Sequence, residues 1–370
     1  INKSLIMTEK SPPVNWASLD YLTIQANLFA AGLKDTLSFH RTLPLLVNDQ
    51  SSFILTAQVL TTNSVLLLGS IVIFEKGFNP FLSFLNDSES ASESFIEHVT
   101  RIIYQTFWLV PICGLCFVLS LTWYQELADA NYRYLQKMPK NQSLSKSIGY
   151  VAYASLAWVY VFVEVQLLMH LFPFLLNQIL SLIELFFIGV EKYSESLTVI
   201  LKPSIVTFVQ LLVLLSKIIG SILMSFSYSW YGFDPKWIAS GVDPSQRFKI
   251  IESHWAYFLG FGFPYMVLVT TTSFFWGFGI FSGLFPFCIM LGSLTDYSLP
   301  YKEIEKDDEK MKVILSQRLP VFTSAEYFTF LTLSYIDKKN HGIKKTKSSS
   351  VKEVKKEESK KDTEKITKSK

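Results

Sequence analysis

Long stretches without charged residues set the strongest constraint on how this chain can fold. They lie at 50–74, 102–125, 147–183, 203–233 and 255–295. Two of them contain a single charge each, Glu164 in the third and Lys217 in the fourth. About 20 helical residues, at ~1.5 Å each, cross the ~30 Å hydrocarbon layer, so uncharged runs of this length indicate membrane-spanning helices. We therefore exclude a soluble globule and predict an all-α fold, a polytopic bundle of transmembrane helices.

The uncharged stretches predict about six membrane crossings. The first span lies near 53–74 and the second near 102–124. The stretch 255–295 is about twice as long as one crossing needs, so we expect it to form a hairpin. Its glycines and prolines are compatible with broken or re-entrant helices, where the free backbone groups are buried or line a cavity. Pro173 divides 147–190, which is either one long bent helix or two half-helices.

The charges between the spans predict the orientation in the membrane. The loop after the first span is acidic, whereas the loop near 126–146 carries Arg133, Lys137, Lys140 and Lys146. Because cytosolic loops are enriched in Lys and Arg, we expect the basic loop in the cytosol and the acidic loop across the membrane. With six crossings, both ends of the chain are then expected to be cytosolic.

Composition divides the chain into three parts. Residues 1–20 are polar and are expected to be flexible, and 21–300 form the transmembrane domain. Within that domain, 21–42 has the apolar spacing of an amphipathic helix, which lies either in the membrane interface or against the cytosolic end of the bundle. Residues 301–370 hold about half of all Lys and Arg and form a cytosolic charged tail, disordered from about 338. This Lys-rich tail is either simply solvated or in contact with anionic lipid head groups.

Two groups of polar residues are candidate binding residues. Gln125, Glu126 and Asp129 follow the second span, and the two acids share a helix face. They either bind a partner or gate a cavity, or they form a helix-end network that fixes the next turn. Glu164 and Lys217 lie deep in their spans, where ionisable groups usually face a bundle interior or a wet cavity. One hypothesis is that the two charges pair or line a polar route. The alternative is that each is accommodated separately: the Lys217 side chain reaches the membrane interface, and Glu164 is a protonated carboxyl.

No catalytic constellation is recognisable in the sequence. It has no phosphate loop, no zinc-ligand spacing and no convincing Ser/His/Asp set. We therefore expect a protein that is not an enzyme and that uses no metal and no other cofactor. The lipid bilayer is the expected partner and nucleic acid is not, while the sequence leaves a homo-oligomer open.

Two sequence blocks and one short motif resemble a known family. The first block is Trp-Leu-Val-Pro-Ile at 108–112 followed by Trp-Tyr-Gln-Glu-Leu-Ala-Asp at 123–129. The second runs from Glu252 to Pro264, with Leu-Phe-Pro at 284–286, and the short motif is Gly-Leu-Lys-Asp-Thr at 32–36. Together they resemble the etoposide-induced endoplasmic reticulum protein family, over roughly residues 28–295. Relative to its animal members, 175–203 looks like an insertion, and the Lys-rich tail has no counterpart.

The resemblance implies an integral membrane protein of the endoplasmic reticulum. Animal members of the family are linked to autophagy, through maturation of autophagosomes into degradative autolysosomes, and to growth suppression and apoptosis. One expected function is thus a non-enzymatic role in autophagy, by shaping membrane or recruiting proteins of the autophagy machinery. The alternative is transport of a small anion, because the bacterial sulfate permease CysZ is grouped in the same superfamily. The paired arginines associated with anion binding in those permeases have no clear match near Lys34, which weakens this alternative.

Overall fold

The computed structural model describes residues 19–78, 80, 123–135, 137, 144–191, 195–272, 274–305 and 318–336. All regular structure in these ranges is helical. The first part forms α1 (Leu19–Leu37), a 3₁₀ turn (Phe39–Thr42), α2 (Leu43–Asn48), α3 (Gln50–Thr62) and α4 (123–134). The second part forms α5 (Leu144–Gln166), α6 (Phe172–Glu191), α7 (Glu195–Ser240), α8 (Pro244–Ser253), α9 (Trp255–Thr270), α10 (Phe274–Leu294), α11 (Leu299–Glu305) and α12 (323–336).

Within the described ranges, four helical stretches are long and apolar enough to cross a membrane. They are Gln50–Gly77, Ser155–Ile188, Leu201–Ser240 and Gly279–Lys302, and α9 is apolar but shorter. The predicted all-α polytopic helical bundle is confirmed. The predicted second span near 102–124 lies outside the described residues except for its last two positions. Residues 1–18 and those from 337 onward also lie outside them, so the flexible N-terminus, the disordered tail and the count of six crossings stay predictions.

Two helical runs are much longer than one crossing requires. α5 continues through a π-helical segment, Leu167–Leu171, into α6, and α7 alone has 46 residues, or about 69 Å at ~1.5 Å per residue. Pro173 lies in the first turn of α6, directly after the π-helical segment, and the helix continues past it. The segment 147–190 is therefore one continuous helix and not two half-helices. The described residues of 175–203 belong to α6 and α7.

The stretch 255–295 folds as the predicted hairpin. Its two helices, α9 and α10, pack against each other and against α7. Pro264 lies inside α9 and Pro286 inside α10, yet each helix is continuous across its proline. The sequence therefore allows broken helices here, but α9 and α10 do not form them.

The amphipathic helix α1 packs closely on α9, which selects one of its two predicted placements. A Cβ atom on Gly32 would overlap the backbone carbonyl of Tyr257. In the same way, a Cβ atom on Gly260 would overlap the backbone carbonyl of Phe29. Glycine at both positions lets the two backbones approach more closely than any side chain allows. The helix is thus part of the bundle, although apolar side chains such as Leu19 remain exposed on it.

Residues 318–336 also pack on the bundle, whereas the sequence predicted a charged tail from residue 301. Phe322, Ala325 and Thr329 are fully buried. Their spacing of three and four residues places Ala325 and Thr329 on the inner face of α12, with Phe322 directly before the helix. A division of the chain by composition misses this short apolar pattern, because the residues that follow it are strongly basic.

Contacts between helix ends join different helices at each end of the bundle, while the orientation of the spans in the membrane stays a prediction. At one end of the bundle, the Ser52 hydroxyl at the start of α3 donates to Asn131 in α4, at 3.0 Å. The Ser240 hydroxyl at the end of α7 donates to the Tyr132 hydroxyl, also at 3.0 Å. We call this region, with α8, the polar end of the bundle. Beyond α3, in the π-helical segment Ile73–Phe78 at the far end of the helical stretch Gln50–Gly77, Glu75 accepts a 2.9 Å hydrogen bond from the Trp276 indole near the start of α10.

Candidate functional site

The predicted cluster Gln125, Glu126 and Asp129 lies on α4 at the polar end. The Gln125 side-chain amide donates to the Asp129 carboxylate at 3.1 Å, whereas the Glu126 side chain is exposed. Burial raises the pKa of Asp129 above its usual range, and the hydrogen bond from Gln125 opposes this shift. The hydrogen bond within the cluster therefore joins Gln125 to Asp129. The sequence had instead placed Glu126 and Asp129 together on one helix face.

A buried network lies directly beside this cluster. The Ser52 backbone N–H donates to the Asp49 carboxylate at 2.9 Å, so Asp49 caps the start of α3. The Ser52 hydroxyl then donates to the fully buried Asn131. These bonds join α3 to α4 and favour the helix-end interpretation of the cluster. A binding role for Gln125, Glu126 and Asp129 stays a prediction.

Glu164 and Lys217 occupy different environments. Glu164 lines a cavity with a volume of about 450 Å³, and the Ser324 hydroxyl is placed to donate to its carboxylate. Lys217 is exposed on α7 and does not line that cavity. Among the ion pairs between described residues, none joins Glu164 to Lys217. The structure therefore gives Glu164 a site of its own and does not bring the two charges together.

The short motif at 32–36 and the block that begins at Glu252 meet in space. The Tyr257 hydroxyl donates to the Asp35 carboxylate at 2.8 Å. The same carboxylate accepts a hydrogen bond from Arg41 at 3.0 Å. Two of the three sequence signals that support the family resemblance therefore form one contact between α1 and α9, about 220 residues apart in the chain.

A buried ion pair at the polar end was not anticipated from the sequence. The Arg247 guanidinium, 1% exposed, donates to the Asp234 carboxylate at 2.9 Å. Asp234 also accepts a 3.1 Å hydrogen bond from the Trp230 indole. The signal in the sequence is weak, because Asp234 is simply the first charge after a long uncharged stretch. The pair fastens α8 to the end of α7.

A second buried acid, Glu252, fastens the C-terminal segment. It is fully buried and forms an ion pair with Arg318. Its carboxylate also accepts the backbone N–H of Phe322 at 2.8 Å, and its backbone carbonyl accepts that of Leu319 at 2.9 Å. Burial raises the pKa of Glu252, while the Phe322 N–H and the Arg318 charge act in the opposite direction.

Aromatic rings fill the described part of the core. Trp158 on α5 stacks on Trp230 and Tyr231 of α7, with ring centroids 4.7 Å and 3.2 Å apart. Phe233 makes an edge-on contact with Phe258 of α9, with centroids 5.1 Å apart. All of these helices contribute to one continuous hydrophobic cluster. The arrangement is that of a packed core.

Polar side chains between α7 and α9 are used for helix packing. The Ser225 hydroxyl donates to the carbonyl of Leu259 at 2.9 Å, and the Ser229 hydroxyl donates to the carbonyl of Phe258. A Cβ atom on Gly262 would overlap the Ser225 carbonyl. Small residues and interhelical hydroxyl bonds of this kind are typical of closely packed membrane helices.

In the ranges that the structure describes, no group of three His, Cys, Asp or Glu side chains can hold a metal ion.

Comparisons with known proteins agree with these features. A family model described as Sulfate transporter CysZ/Etoposide-induced protein 2.4 matches residues 190–276, which include the Asp234–Arg247 pair and α9. The chain is 24% identical over 319 residues to Protein EI24 homolog of Arabidopsis thaliana, covering 83% of this chain and 94% of that protein. It is 26% identical over 287 residues to Protein EI24 homolog of Dictyostelium discoideum, covering 75% of each. No solved structure matches.

Proposed function

Because this chain belongs to the EI24 family, we propose that it is an integral membrane protein of the endoplasmic reticulum that acts in autophagy. Its role is non-enzymatic and lies in the maturation of autophagosomes, with both ends of the chain in the cytosol. The same proposal includes a role in apoptosis and growth control, because the family is linked to both. The apolar helices that are long enough to cross a membrane support the membrane part of it.

The observation that carries the non-transport part of the proposal is the packed aromatic core. Trp158, Trp230 and Tyr231 stack where α5 meets α7, and Phe233 fills the contact with α9. A transport route needs polar groups along a water-filled path, because an ion is costly in an apolar medium. The described core instead uses its hydroxyl groups to hold helices together. This favours a scaffold that shapes membrane or presents a surface to proteins of the autophagy machinery.

Transport of a small anion is the alternative. The charge at the cavity is the Glu164 carboxylate, which repels anions. The buried cation Arg247 is held by Asp234. Neither feature provides the positive site that an anion requires, so we rank this function second.

Two experiments separate the functions. In cells that lack the protein, autophagosomes should accumulate without maturing, and wild-type protein should restore maturation. Gly260→Leu should fail to do so, because it separates α1 from α9. Normal maturation in the deficient cells would contradict the proposal.

The second experiment measures sulfate and chloride flux into liposomes that contain the purified, folded protein. The expected flux equals that of empty liposomes, and Glu164→Gln and Lys217→Met should leave it unchanged. A flux that exceeds that of empty liposomes, and that changes in either variant, would establish the transport alternative.

A further inference from the structure

The cavity beside Glu164 has the size and lining of a small-molecule site. Its volume is about 450 Å³, and it lies between the helical run 144–191, α7 and the segment 318–336. The polar groups in its lining belong to Glu164 and Ser324, and the other lining residues are apolar. Ligand sites are typically clefts of about 300–1,000 Å³ with apolar walls and a few polar groups that fix orientation.

The local sequence explains why a cavity forms here. The π-helical segment Leu167–Leu171 begins three residues after Glu164 and supplies two of the lining side chains. π-helical turns widen a helix and often occur at functional sites. Across from it, Gly220 lets α7 approach closely, since a Cβ atom there would lie 2.8 Å from Cγ of Met169. Gly220 and Met169 directly follow the lining residues Ile219 and Leu168 in the chain, so this close approach lies beside the cavity.

The cavity opens toward the lipid. The side chains of Leu167, Ile219 and Ile222 line it and are 43%, 46% and 37% exposed. All three belong to membrane-spanning stretches, so their exposed surface faces acyl chains. An apolar molecule can therefore enter from the bilayer without crossing water.

The charge in the cavity selects the head group of that molecule. An ionisable group inside a span is costly unless it pairs with a partner. Ser324 satisfies part of the Glu164 carboxylate, which has about four acceptor positions. A cationic amine complements it, because an ammonium group supplies three N–H donors and the opposite charge.

We propose that this cavity binds a single-chain amphiphile with an amine head group, its ammonium against Glu164 and its chain between Leu167 and Ile219. This inference goes beyond the proposed function and does not depend on it. It also ties the ligand to the C-terminal segment, because Ser324 belongs to that segment. Bound amphiphile should therefore hold 318–336 on the bundle.

The test uses the full-length protein in phosphatidylcholine nanodiscs. The probe is a long-chain alkyl amine that carries a photoreactive diazirine and an alkyne, and its matched alcohol serves as the neutral comparison. Mass spectrometry of the labelled protein should place the amine probe on peptides around 160–172, 215–225 and 318–328. Glu164→Gln should lower labelling by the amine about tenfold and leave labelling by the alcohol unchanged, because it removes one charge-assisted hydrogen bond.

Glu184→Gln is the matched control, since Glu184 is an exposed acid on the same helical run and lies outside the cavity. It should leave both labels unchanged. Leu168→Trp fills the cavity and should remove both labels, which provides a second variant if Glu164→Gln does not fold. Equal labelling by amine and alcohol in the wild-type protein would overturn the proposal, and so would labelling confined to other peptides.

Discussion

The Arg247 guanidinium and the Asp234 carboxylate, 2.9 Å apart, hold the turn between α7 and α8 in place. The Arg247 Nε–H also donates to the Val242 carbonyl at 2.9 Å, inside the same turn. Gly241 in this turn has a φ of 71°, a left-handed conformation that glycine adopts without strain. The ion pair therefore acts on a tightly specified turn, and it lies within the segment that the family model matches.

Removal of the guanidinium should strongly destabilise the protein. Arg247→Ala leaves the Asp234 charge buried without its partner, and breaking a buried ion pair in this way costs about 3–5 kcal/mol. Thermal unfolding of the purified variant, monitored by size-exclusion chromatography, measures the effect. Lys249→Ala is the control, because Lys249 is an exposed cation on the same helix. Equal unfolding temperatures for the two variants would show that the pair is not needed for stability.

The glycine contact between α1 and α9 predicts a steric effect. In Gly260→Ala the new Cβ overlaps the Phe29 carbonyl, so the two backbones must separate, at a cost of about 1–3 kcal/mol. Protease cleavage within α1 should then become faster. Gly283→Ala is the matched control, since a Cβ atom at Gly283 would have no atom within 4 Å apart from its chain neighbours and the backbone of its own helix. Cleavage of both variants at the wild-type rate would refute the close approach.

Sequence alone predicted much of the architecture because the membrane imposes a simple rule on span length. The uncharged stretches at 203–233 and 255–295 correspond to α7 and to the α9–α10 hairpin. The effect of proline was harder to predict. Pro173, Pro264 and Pro286 all lie in continuous helices, because packing against neighbouring helices can stabilise a helix despite the lost backbone bond.

The polar contacts were predictable only in part. Asp35 and Tyr257 lie in sequence blocks that the family resemblance singled out, but their contact depends on how α1 folds back on α9. The pairing of Asp234 with Arg247 requires the turn at Gly241, which no periodicity indicates. Glu164 was recognised because a charge within a long apolar stretch is visible in any sequence, whereas its neighbour Ser324 comes from a distant segment.

Docking of the C-terminal segment should depend on Glu252. Glu252→Ala removes the acceptor of the Phe322 N–H and the partner of Arg318, and a buried donor left unsatisfied costs about 1–3 kcal/mol. Hydrogen exchange at 318–336 should become faster, because the segment separates from the bundle more often. Glu252→Gln keeps an oxygen acceptor for Phe322 and should have a smaller effect. Wild-type exchange in Glu252→Ala would rule out this anchor, and Glu184→Ala controls for loss of an acidic side chain.

The polar residues where α3 meets α4 should separate into structural and surface residues. Ser52→Ala removes the hydroxyl that bridges α3 to Asn131 and leaves a buried amide oxygen without its donor, at a cost of about 1–3 kcal/mol. Glu126→Ala should leave the unfolding temperature unchanged, because its side chain is exposed. If Glu126→Ala nevertheless impairs autophagosome maturation in cells, the residue binds a partner. Stability lost in Glu126→Ala but not in Ser52→Ala would contradict this division between structural and surface residues.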